Sequence, residues 1–281
     1  MKQYNFDMTG LGVVLTAPFP IQISENLRPF LCSGLKRTDC AIRIVVGQLP
    51  QPGDNGYWHG PEYYETTVDR KRIFHCHKPC EEPFAVTEIP CKGDIEITVC
   101  PDCVTYFSGT SGIFNRIGFE NLLLQHNGLL LHASLIEYAH KGIAFTGPSG
   151  VGKSTQADLW QRSLGANILN GDRAALRNTS DRWMAYGSPY AGTSGIYRKE
   201  SAPLAAIVVL GQGKENSLRR LTGAEAMGHI WPEISVRRWD AKFVEAVTQL
   251  CAQLLQDIPV YLLTCLPDES AVTLLKEGLS L

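Results

Sequence analysis

One short stretch constrains this chain more than any other. Its residues, Gly147-Pro148-Ser149-Gly150-Val151-Gly152-Lys153-Ser154, fit the pattern G-x-x-x-x-G-K-[ST] without a mismatch. Successive backbone N–H groups in such a loop converge on phosphate oxygens, and its glycines allow the unusual dihedral angles and the close approach of backbone to ligand. The lysine brings a positive charge to the terminal phosphates, and the hydroxyl that follows it suits Mg²⁺. The candidate nucleotide-binding residues are Gly147, Ser149, Gly150, Val151, Gly152, Lys153, Ser154 and Thr155.

The sequence around the loop has the pattern that the motif requires. An apolar run, Ile143-Ala144-Phe145, comes before it and predicts a buried strand. Residues 154–164 predict a helix with Ala157, Trp160 and Leu164 on one face. Such a helix turns the positive end of its dipole towards a bound anion. A chance match to the motif is the alternative, and this strand–loop–helix order favours nucleotide binding over it.

The pattern of apolar residues changes between residues 110 and 125. Before that point lie short strand-like runs broken by Pro and Gly, for example residues 40–46 and 94–99. After it, helices alternate with buried strands. At 281 residues the chain has room for two ordinary domains. We therefore predict a strand-rich region of uncertain fold over residues 1–118 and an α/β domain over residues 119–281.

The elements predicted in the second region are few and distinct. Helices are predicted over residues 119–125, 154–164, 239–255 and 268–279. Strands are predicted over residues 133–138, 142–146, 205–210 and 260–264, with the first two joined by a turn at residues 140–142. Asp240 is predicted in the first turn of the third helix, and Asp268 or Ser270 as the cap of the fourth.

Charge and hydropathy exclude several classes of partner. Lys and Arg number 26 and Asp and Glu 28, so the formal charge is −2, which argues against a surface for nucleic acid or for an acidic membrane. No apolar run approaches the roughly 18 residues of a membrane span. The first ten residues carry Lys2 and Asp7 and lack the apolar stretch of a secretory signal. These features predict a cytoplasmic protein.

Two polar side chains near the loop are candidate catalytic residues. Asp172 follows a short apolar run and is placed to hold Mg²⁺ or to accept a proton from a hydroxyl. The alternative is that Asn170-Gly171-Asp172 is only a turn. His132 lies at the edge of an apolar strand, where a hydrogen-bonded core histidine is the plainer interpretation.

Four segments together carry a resemblance to a known family. They are Leu131-His132-Ala133-Ser134, residues 147–155, Asn170-Gly171-Asp172 and Tyr186-Gly187-Ser188-Pro189. Residues 119–281 resemble the C-terminal catalytic domain of the HPr kinase/phosphorylase family. They are still more similar to its shorter bacterial relatives, called HPr-kinase-like or serine-kinase-like proteins.

The resemblance implies a fold, a reaction and a set of catalytic residues. The fold is a P-loop domain akin to phosphoenolpyruvate carboxykinase, with a mixed sheet. The reaction is Mg²⁺-assisted transfer of phosphate from ATP, or sometimes from another donor, to a hydroxyl. By this resemblance His132 contacts the loop and the catalytic acid, Asp172 serves as base or metal ligand, and Lys153 and Ser154 are the loop lysine and the metal-binding hydroxyl.

The chain also departs from the family pattern. The first of the family's paired aspartates is Gly171 here, and Asn170 could offer the metal an amide but cannot act as a base. The glutamate-arginine-glycine segment of the true HPr kinases is absent, and residues 191–195 stand near its place. These departures leave the phosphoryl acceptor open: it is a hydroxyl on HPr, on another protein, on a peptide or on a small molecule.

Two pairs of basic residues near these segments are candidate phosphate ligands. Arg198 and Lys199 follow the Gly-rich run 191–195, which favours an exposed loop over a closing lid. Arg237 and Arg238 could reach a phosphate or stack on a base, but their place ahead of a helix favours surface charges.

The cysteines in the first region form a weaker pattern. Cys76, Cys80, Cys100 and Cys103 could hold a structural Zn²⁺, because Cys100-x-x-Cys103 has a common half-site spacing. The spacing of the first pair is less typical, so reduced thiols without metal are the favoured alternative.

The sequence thus predicts an ATP- and Mg²⁺-dependent kinase that acts on an unidentified hydroxyl. A nucleotide-binding sensor or partner-binding module without phosphoryl transfer is the alternative, and a plain nucleotide hydrolase is a third possibility. A homo-oligomer is compatible with the sequence, which leaves the oligomeric state open.

Overall fold

The computed structural model describes residues 1–90, 94–180 and 182–281. They form two compact units, residues 1–119 and 120–281, and the chain is mixed α/β with a large mixed sheet in each unit. Among the described residues, no helix has both the length and the apolar character that crossing a membrane requires.

The first unit is dominated by strands. Its strands are β1 (Lys2–Met8), β2 (Leu11–Ala17), β3 (Leu31–Cys32), β4 (Cys40–Val46), β5 (Tyr57–His59), β6 (Glu62–Thr66), β7 (Arg70–His75), β8 (Ala85–Pro90) and β9 (Ile95–Val99). Their order in the sheet is β3-β1-β2-β4-β9-β8-β7-β6-β5. The pairs β2–β4 and β4–β9 are parallel and the other neighbours are antiparallel. Helix α1 (Thr110–Ile117) and two 3-10 helices, Glu25–Phe30 and Pro101–Phe107, complete the unit.

The second unit contains most of the helices. Its strands are β10 (Gly128–Tyr138), β11 (Lys141–Thr146), β12 (Asn167–Asn170), β13 (Arg173–Thr179), β14 (Arg182–Tyr186), β15 (Ser201–Gln212), β16 (Ser217–Arg220) and β17 (Val260–Cys265). Its helices are α3 (Lys153–Leu164), α4 (Gly223–Ile230), α5 (Ala241–Asp257) and α6 (Glu269–Gly278), with 3-10 turns at Gly192–Ser194 and Trp231–Glu233. Helix α2 (Phe119–Gln125) begins on the last residue of the first unit.

The sheet of the second unit closes partly on itself. Its order is β11-β10-β13-β14-β15-β17-β16, β12 pairs with β10, and β11 also pairs with β15 in parallel. Strand β15 is parallel to β17 as well, whereas β10 is antiparallel to β11, β12 and β13. A mixed sheet is therefore confirmed for this unit.

Apolar residues on both faces of this sheet explain its layers. On β15, Ile207 and Val209 pack in the core cluster that includes Phe243 of α5, whereas Val208 packs with Trp160 of α3. A strand buried on both faces reads as a continuous apolar run. The prediction of a buried strand at 205–210 is thus confirmed.

The β10–β11 hairpin differs slightly from the prediction. The turn consists of Ala139 and His140, with φ values of 50° and 61°, and β11 already begins at Lys141. Two consecutive left-handed residues are typical of the tight turn whose twist matches the strands that it joins. The turn predicted at residues 140–142 is therefore one residue too late, because the two left-handed residues are Ala139 and His140 and Lys141 already belongs to β11.

Helix α5 has a side-chain cap at its first turn. Asp240 lies just before the helix, not inside its first turn as predicted, and its Oδ1 accepts a hydrogen bond of 3.2 Å from the backbone N–H of Phe243. Such a bond satisfies one of the amide groups that a helix start leaves without a partner. Asp268 caps α6 in the same way, by accepting from Ser270, as predicted.

We predict that Asp240→Ala lowers the free energy of unfolding by about 1 kcal/mol, because the N-terminal amide loses its acceptor. Asp240→Asn keeps an acceptor oxygen in place, so it should lower the free energy of unfolding much less. Glu245→Ala, at an exposed position of the same helix, is the matched control. Urea denaturation of the full chain measures all three, and equal losses for Ala and Asn would contradict the capping role.

Candidate functional site

The loop between β11 and α3 has positive φ angles at its three glycines. Gly147, Gly150 and Gly152 have φ values of +136°, +79° and +114°, all in the region that favours glycine. Thr146 ends β11 and Lys153 begins α3, so the loop leads directly from a strand into a helix N-terminus. The expected arrangement of strand, loop and helix is present.

Lys153 is folded back onto this loop. Its side chain is buried, and Nζ donates hydrogen bonds to the carbonyl oxygens of Gly147, at 2.7 Å, and Pro148, at 3.2 Å. Burial lowers the pKa of Lys153, and the nearby carboxylates of Glu233 and Asp172 oppose that effect. The ammonium group is thus held at the loop.

A cavity of about 540 Å³ lies between this loop with the start of α3 and three other segments of the second unit, residues 132–134, 168–172 and 191–196. Of the predicted residues, it is lined by His132, Ser149, Gly150, Gly152, Lys153, Ser154, Thr155 and Asp172. Gly147 and Val151 are not among its lining residues. Ser134, Thr193 and Ser194 also line it. They belong to segments that the sequence analysis names, 131–134 and 191–195, but they were not among the predicted site residues. The cavity volume falls in the range typical of small-molecule sites.

His132 lies between two carboxylates. Its Nε2 is 3.3 Å from Oδ1 of Asp172, and its Nδ1 is 2.8 Å from Oε2 of Glu233. The structure therefore brings His132 and Asp172 together, and it adds Glu233. Sequence reasoning missed Glu233 because it lies 101 residues from His132 and its neighbours Trp231 and Pro232 give no catalytic signal.

The corner that carries Asp172 is fixed by the buried side chain of Asn170. Its Oδ1 accepts hydrogen bonds from the backbone N–H groups of Asp172, at 2.9 Å, and Arg173, at 2.6 Å. Its Nδ2 donates to the backbone oxygens of Ser188 and Tyr190. Both the oxygen and the nitrogen of this side chain are thus occupied by hydrogen bonds to backbone groups. The prediction that Asn170 could offer its amide to a metal is therefore wrong.

Two glycines next to Asp172 leave no room for a side chain. A Cβ built on Gly171 would lie 2.0 Å from Oγ of Ser194, and one built on Gly192 would lie 2.7 Å from Cγ of Asp172. Ser194 is itself held by a hydrogen bond of 2.6 Å to the backbone oxygen of Ala191. The segment 191–196 therefore occupies the space into which a carboxylate at position 171 would project.

The two basic pairs differ in how deeply they are buried. Arg198 and Lys199 are exposed, as the interpretation of an open loop predicts, and Arg198 lies 3.9 Å from Glu200. Arg237 is buried, and its Nε donates to Oε1 of Glu120 at 2.8 Å, whereas Arg238 is exposed. Treating Arg237 as a surface charge was wrong, because a charge-assisted pair with α2 accompanies its burial.

The four cysteines considered for zinc lie in the first unit. Among the described residues no group of three or more His, Cys, Asp or Glu side chains could hold a metal ion, so these thiols are not gathered into such a group. Cys76 is buried, Cys80 is exposed, and Cys100 and Cys103 are half-buried, all as free thiols. A hydrogen bond with Cys100 raises the pKa of the Cys103 thiol to about 11.

Comparison with known proteins finds likeness only at the level of solved structures. No protein-family model matches the chain, and no curated protein matches its sequence. Among solved structures, the Hpr(Ser) kinase/phosphatase from Coxiella burnetii is similar at a TM-score of 0.31 and 15% sequence identity, over 54% of this chain and 93% of that chain.

We predict that Gly171→Asp does not simply add a second carboxylate to the cavity but lowers the free energy of unfolding by about 1–3 kcal/mol, the usual cost of overpacking. In a chain that also carries Ser194→Gly, the same change should cost clearly less, because the contact with Oγ of Ser194 is gone. Ser194→Gly alone supplies the baseline for this double-mutant cycle, measured by chemical denaturation. Strictly additive losses would contradict the steric explanation.

Proposed function

We propose that the second unit binds a purine nucleoside triphosphate with Mg²⁺ and transfers its terminal phosphoryl group to a hydroxyl acceptor. The observation that carries this proposal is that one cavity is lined both by Lys153 with the glycine loop and by the carboxylate of Asp172. Phosphoryl transfer needs mainly positioning and charge neutralisation, with an acid or base near the acceptor oxygen. Both requirements find candidate groups in this cavity.

The phosphates would lie along the loop. The exposed Ser149 and Gly150 and the first residues of α3 line the cavity, so their backbone N–H groups would be the phosphate donors. The positive end of that helix favours an anion. Lys153 would exchange the carbonyl oxygens of Gly147 and Pro148 for phosphate oxygens, which are stronger acceptors because they are charged.

The donor set fits magnesium. Ser154 and Asp172 offer a hydroxyl and a carboxylate, and Mg²⁺ prefers such oxygen ligands, with one or two carboxylates completed by phosphates and water. Bound Mg²⁺ would neutralise charge on the phosphates during transfer. One carboxylate oxygen of Asp172 can serve this ion while the other takes the acceptor proton.

In the transfer itself, the acceptor oxygen forms a bond to the terminal phosphorus while the bond from that phosphorus to the bridging oxygen breaks. The nucleoside diphosphate leaves, and the hydroxyl proton passes to a carboxylate oxygen of Asp172. Because the segment 191–196 fills the space beside Gly171, Asp172 is the carboxylate that this corner between β12 and β13 offers to the proton. The acceptor would approach from the part of the cavity lined by Thr193 and Ser194.

A second candidate function is nucleotide binding without transfer. The observation that favours it is the glycine at position 171, since paired carboxylates are what the family resemblance implies for catalysis. The same loop and lysine serve both candidates. The phosphoryl-transfer activity of Asp172 variants therefore distinguishes the two candidate functions.

We predict that Lys153→Ala weakens Mg²⁺-dependent binding of ATP or GTP by about 10- to 100-fold, because it removes a charge-assisted contact to phosphate. Titration calorimetry on the full chain measures the affinity. Lys242→Ala, an exposed lysine of α5, is the matched control and should bind as the unmodified protein does. Absence of any magnesium-dependent binding by the unmodified chain would overturn the proposed function.

We predict that Asp172→Asn keeps nucleotide affinity and loses about 10²- to 10⁴-fold in phosphoryl transfer, the usual contribution of a positioned general base. The assay follows label from the terminal phosphate of ATP into a panel of hydroxyl compounds and peptides. Asp54→Asn makes the same change at an exposed residue of the first unit. A binding module without transfer would instead transfer nothing at all, whether or not Asp172 is changed.

A further inference from the structure

We propose that Cys100 and Cys103 of the first unit form a redox-active dithiol, which exchanges with small-molecule disulfides and closes into a reversible Cys100–Cys103 disulfide. The two thiols have the spacing Cys-x-x-Cys, which also suits half of a zinc site. They have no part in the proposed phosphoryl transfer. The inference is therefore independent of the proposed function, and it follows from the turn that carries the two side chains.

The backbone of this turn brings the two cysteines within disulfide range. Cys100 directly precedes the 3-10 helix Pro101–Phe107, and the N–H of Cys103 donates to the backbone oxygen of Cys100 at 3.0 Å. A turn closed by such a bond keeps the Cα atoms of its first and fourth residues within about 7 Å of each other. Disulfides span Cα–Cα distances of about 4.4–6.8 Å, so the bond can form with little movement of the backbone.

The two thiols also contact each other. A hydrogen bond joins the side chains of Cys103 and Cys100, so the sulfur atoms already lie side by side. Both residues are half-buried free thiols, whereas Cys251, for example, is buried. A small disulfide can therefore reach the pair from solvent. Contact between two thiols and access for the second reactant are what thiol–disulfide exchange requires.

The turn is held in place on both sides of the pair. The N–H of Cys100 donates to the backbone oxygen of Phe84 at 3.0 Å, which fixes the residue that follows β9. At the end of the 3-10 helix Phe107 is fully buried, and the guanidinium of Arg116 lies 4.8 Å from the centre of its ring. Because the backbone is fixed at both ends, each thiol meets the other at a high effective concentration.

The two thiols differ in their roles. The hydrogen bond with Cys100, together with burial and the charge of Asp102, raises the pKa of the Cys103 thiol to about 11. Cys103 thus keeps its proton at neutral pH and donates it towards the sulfur of Cys100. Since the attacking form of a cysteine is the thiolate, exchange starts at Cys100, and Cys103 resolves the mixed disulfide.

The exchange balances in two steps when glutathione disulfide is the oxidant. The Cys100 thiolate attacks one sulfur of glutathione disulfide, the S–S bond of that molecule breaks, and one glutathione thiolate leaves. Cys103 then loses its proton, and its sulfur attacks the sulfur of Cys100, which releases the second glutathione thiolate. The two leaving thiolates take up the two protons that the cysteines have lost. The chain is thereby oxidised by two electrons, and one glutathione disulfide is reduced to two glutathiones.

The first test maps the bond. The reduced full chain is incubated with excess glutathione disulfide, the remaining thiols are alkylated, and the peptides are analysed by mass spectrometry. We expect the peptide that carries Cys100 and Cys103 to lose two hydrogen atoms and to regain them in dithiothreitol. Cys80→Ser removes an exposed thiol of the same unit and is the matched control, which should form the same bond.

Two results of this first test would overturn the proposal. One is that Cys100 and Cys103 are both still alkylated after incubation with the oxidant. The other is zinc in the purified chain, found by metal analysis, that Cys100→Ser no longer retains, because these thiols would then be metal ligands.

The second test identifies the attacking thiol. When limiting iodoacetamide is added to the reduced chain at neutral pH, we expect about 10-fold more label on Cys100 than on Cys103, since a thiol with a pKa of about 11 is almost wholly protonated. In Cys103→Ser the mixed disulfide with glutathione should accumulate at Cys100, because no second thiol resolves it. Equal labelling of the two thiols, or no trapped mixed disulfide, contradicts these roles.

The third test asks whether the fold favours the bond, because a Cys-x-x-Cys pair can also close in an unfolded chain. We expect the equilibrium constant for closing, measured against glutathione, to be about 10-fold larger in buffer than in concentrated urea. By linkage, the oxidised chain then has a free energy of unfolding about 1.4 kcal/mol larger than the reduced chain. Urea denaturation of both forms measures this difference, and equal or lower stability of the oxidised chain overturns the proposal that the turn is arranged for the disulfide.

Discussion

The geometry of the candidate site depends on one buried amide, the side chain of Asn170. It satisfies the N–H groups of Asp172 and Arg173 with its oxygen and binds the oxygens of Ser188 and Tyr190 with its nitrogen. A buried polar group left without partners costs about 1–3 kcal/mol, so the amide and the four backbone groups stabilise one another. The corner between β12 and β13 thus has one backbone conformation, and the direction of the Asp172 side chain follows from it.

Strand β10 brings the other groups to that corner. Its first half pairs with β13 and its second half with β12, so the turn between those two strands lies against the middle of β10. The N–H of Ala133 donates to the backbone oxygen of Asp172 at 2.8 Å, and Oγ1 of Thr146 donates to the backbone oxygen of His132 at 2.9 Å. The histidine, the aspartate and the end of β11 before the loop are therefore fixed by one set of strand contacts.

Local patterns were enough to predict the parts of the site that depend on local backbone. The glycines at 147, 150 and 152 predict positive φ angles, and the spacing of apolar residues on either side of the loop predicts β11 and α3. Contacts between distant residues have no such signal. The pairing of Glu233 with His132, the burial of Arg237 against Glu120 and the filling of the space beside Gly171 by Ser194 all join segments that only tertiary packing brings together.

The position of the second carboxylate has a physical consequence. Two carboxylates side by side repel each other and raise the pKa of one of them. Here Ser194 blocks a carboxylate at position 171, and Glu233 lies instead on the opposite side of the His132 ring from Asp172. The ring of His132 therefore contacts one carboxylate through each of its nitrogens, and it separates the two carboxylates from each other. The glycine at 171 and the glutamate at 233 together determine that a second carboxylate lies across the His132 ring from Asp172 and not beside it.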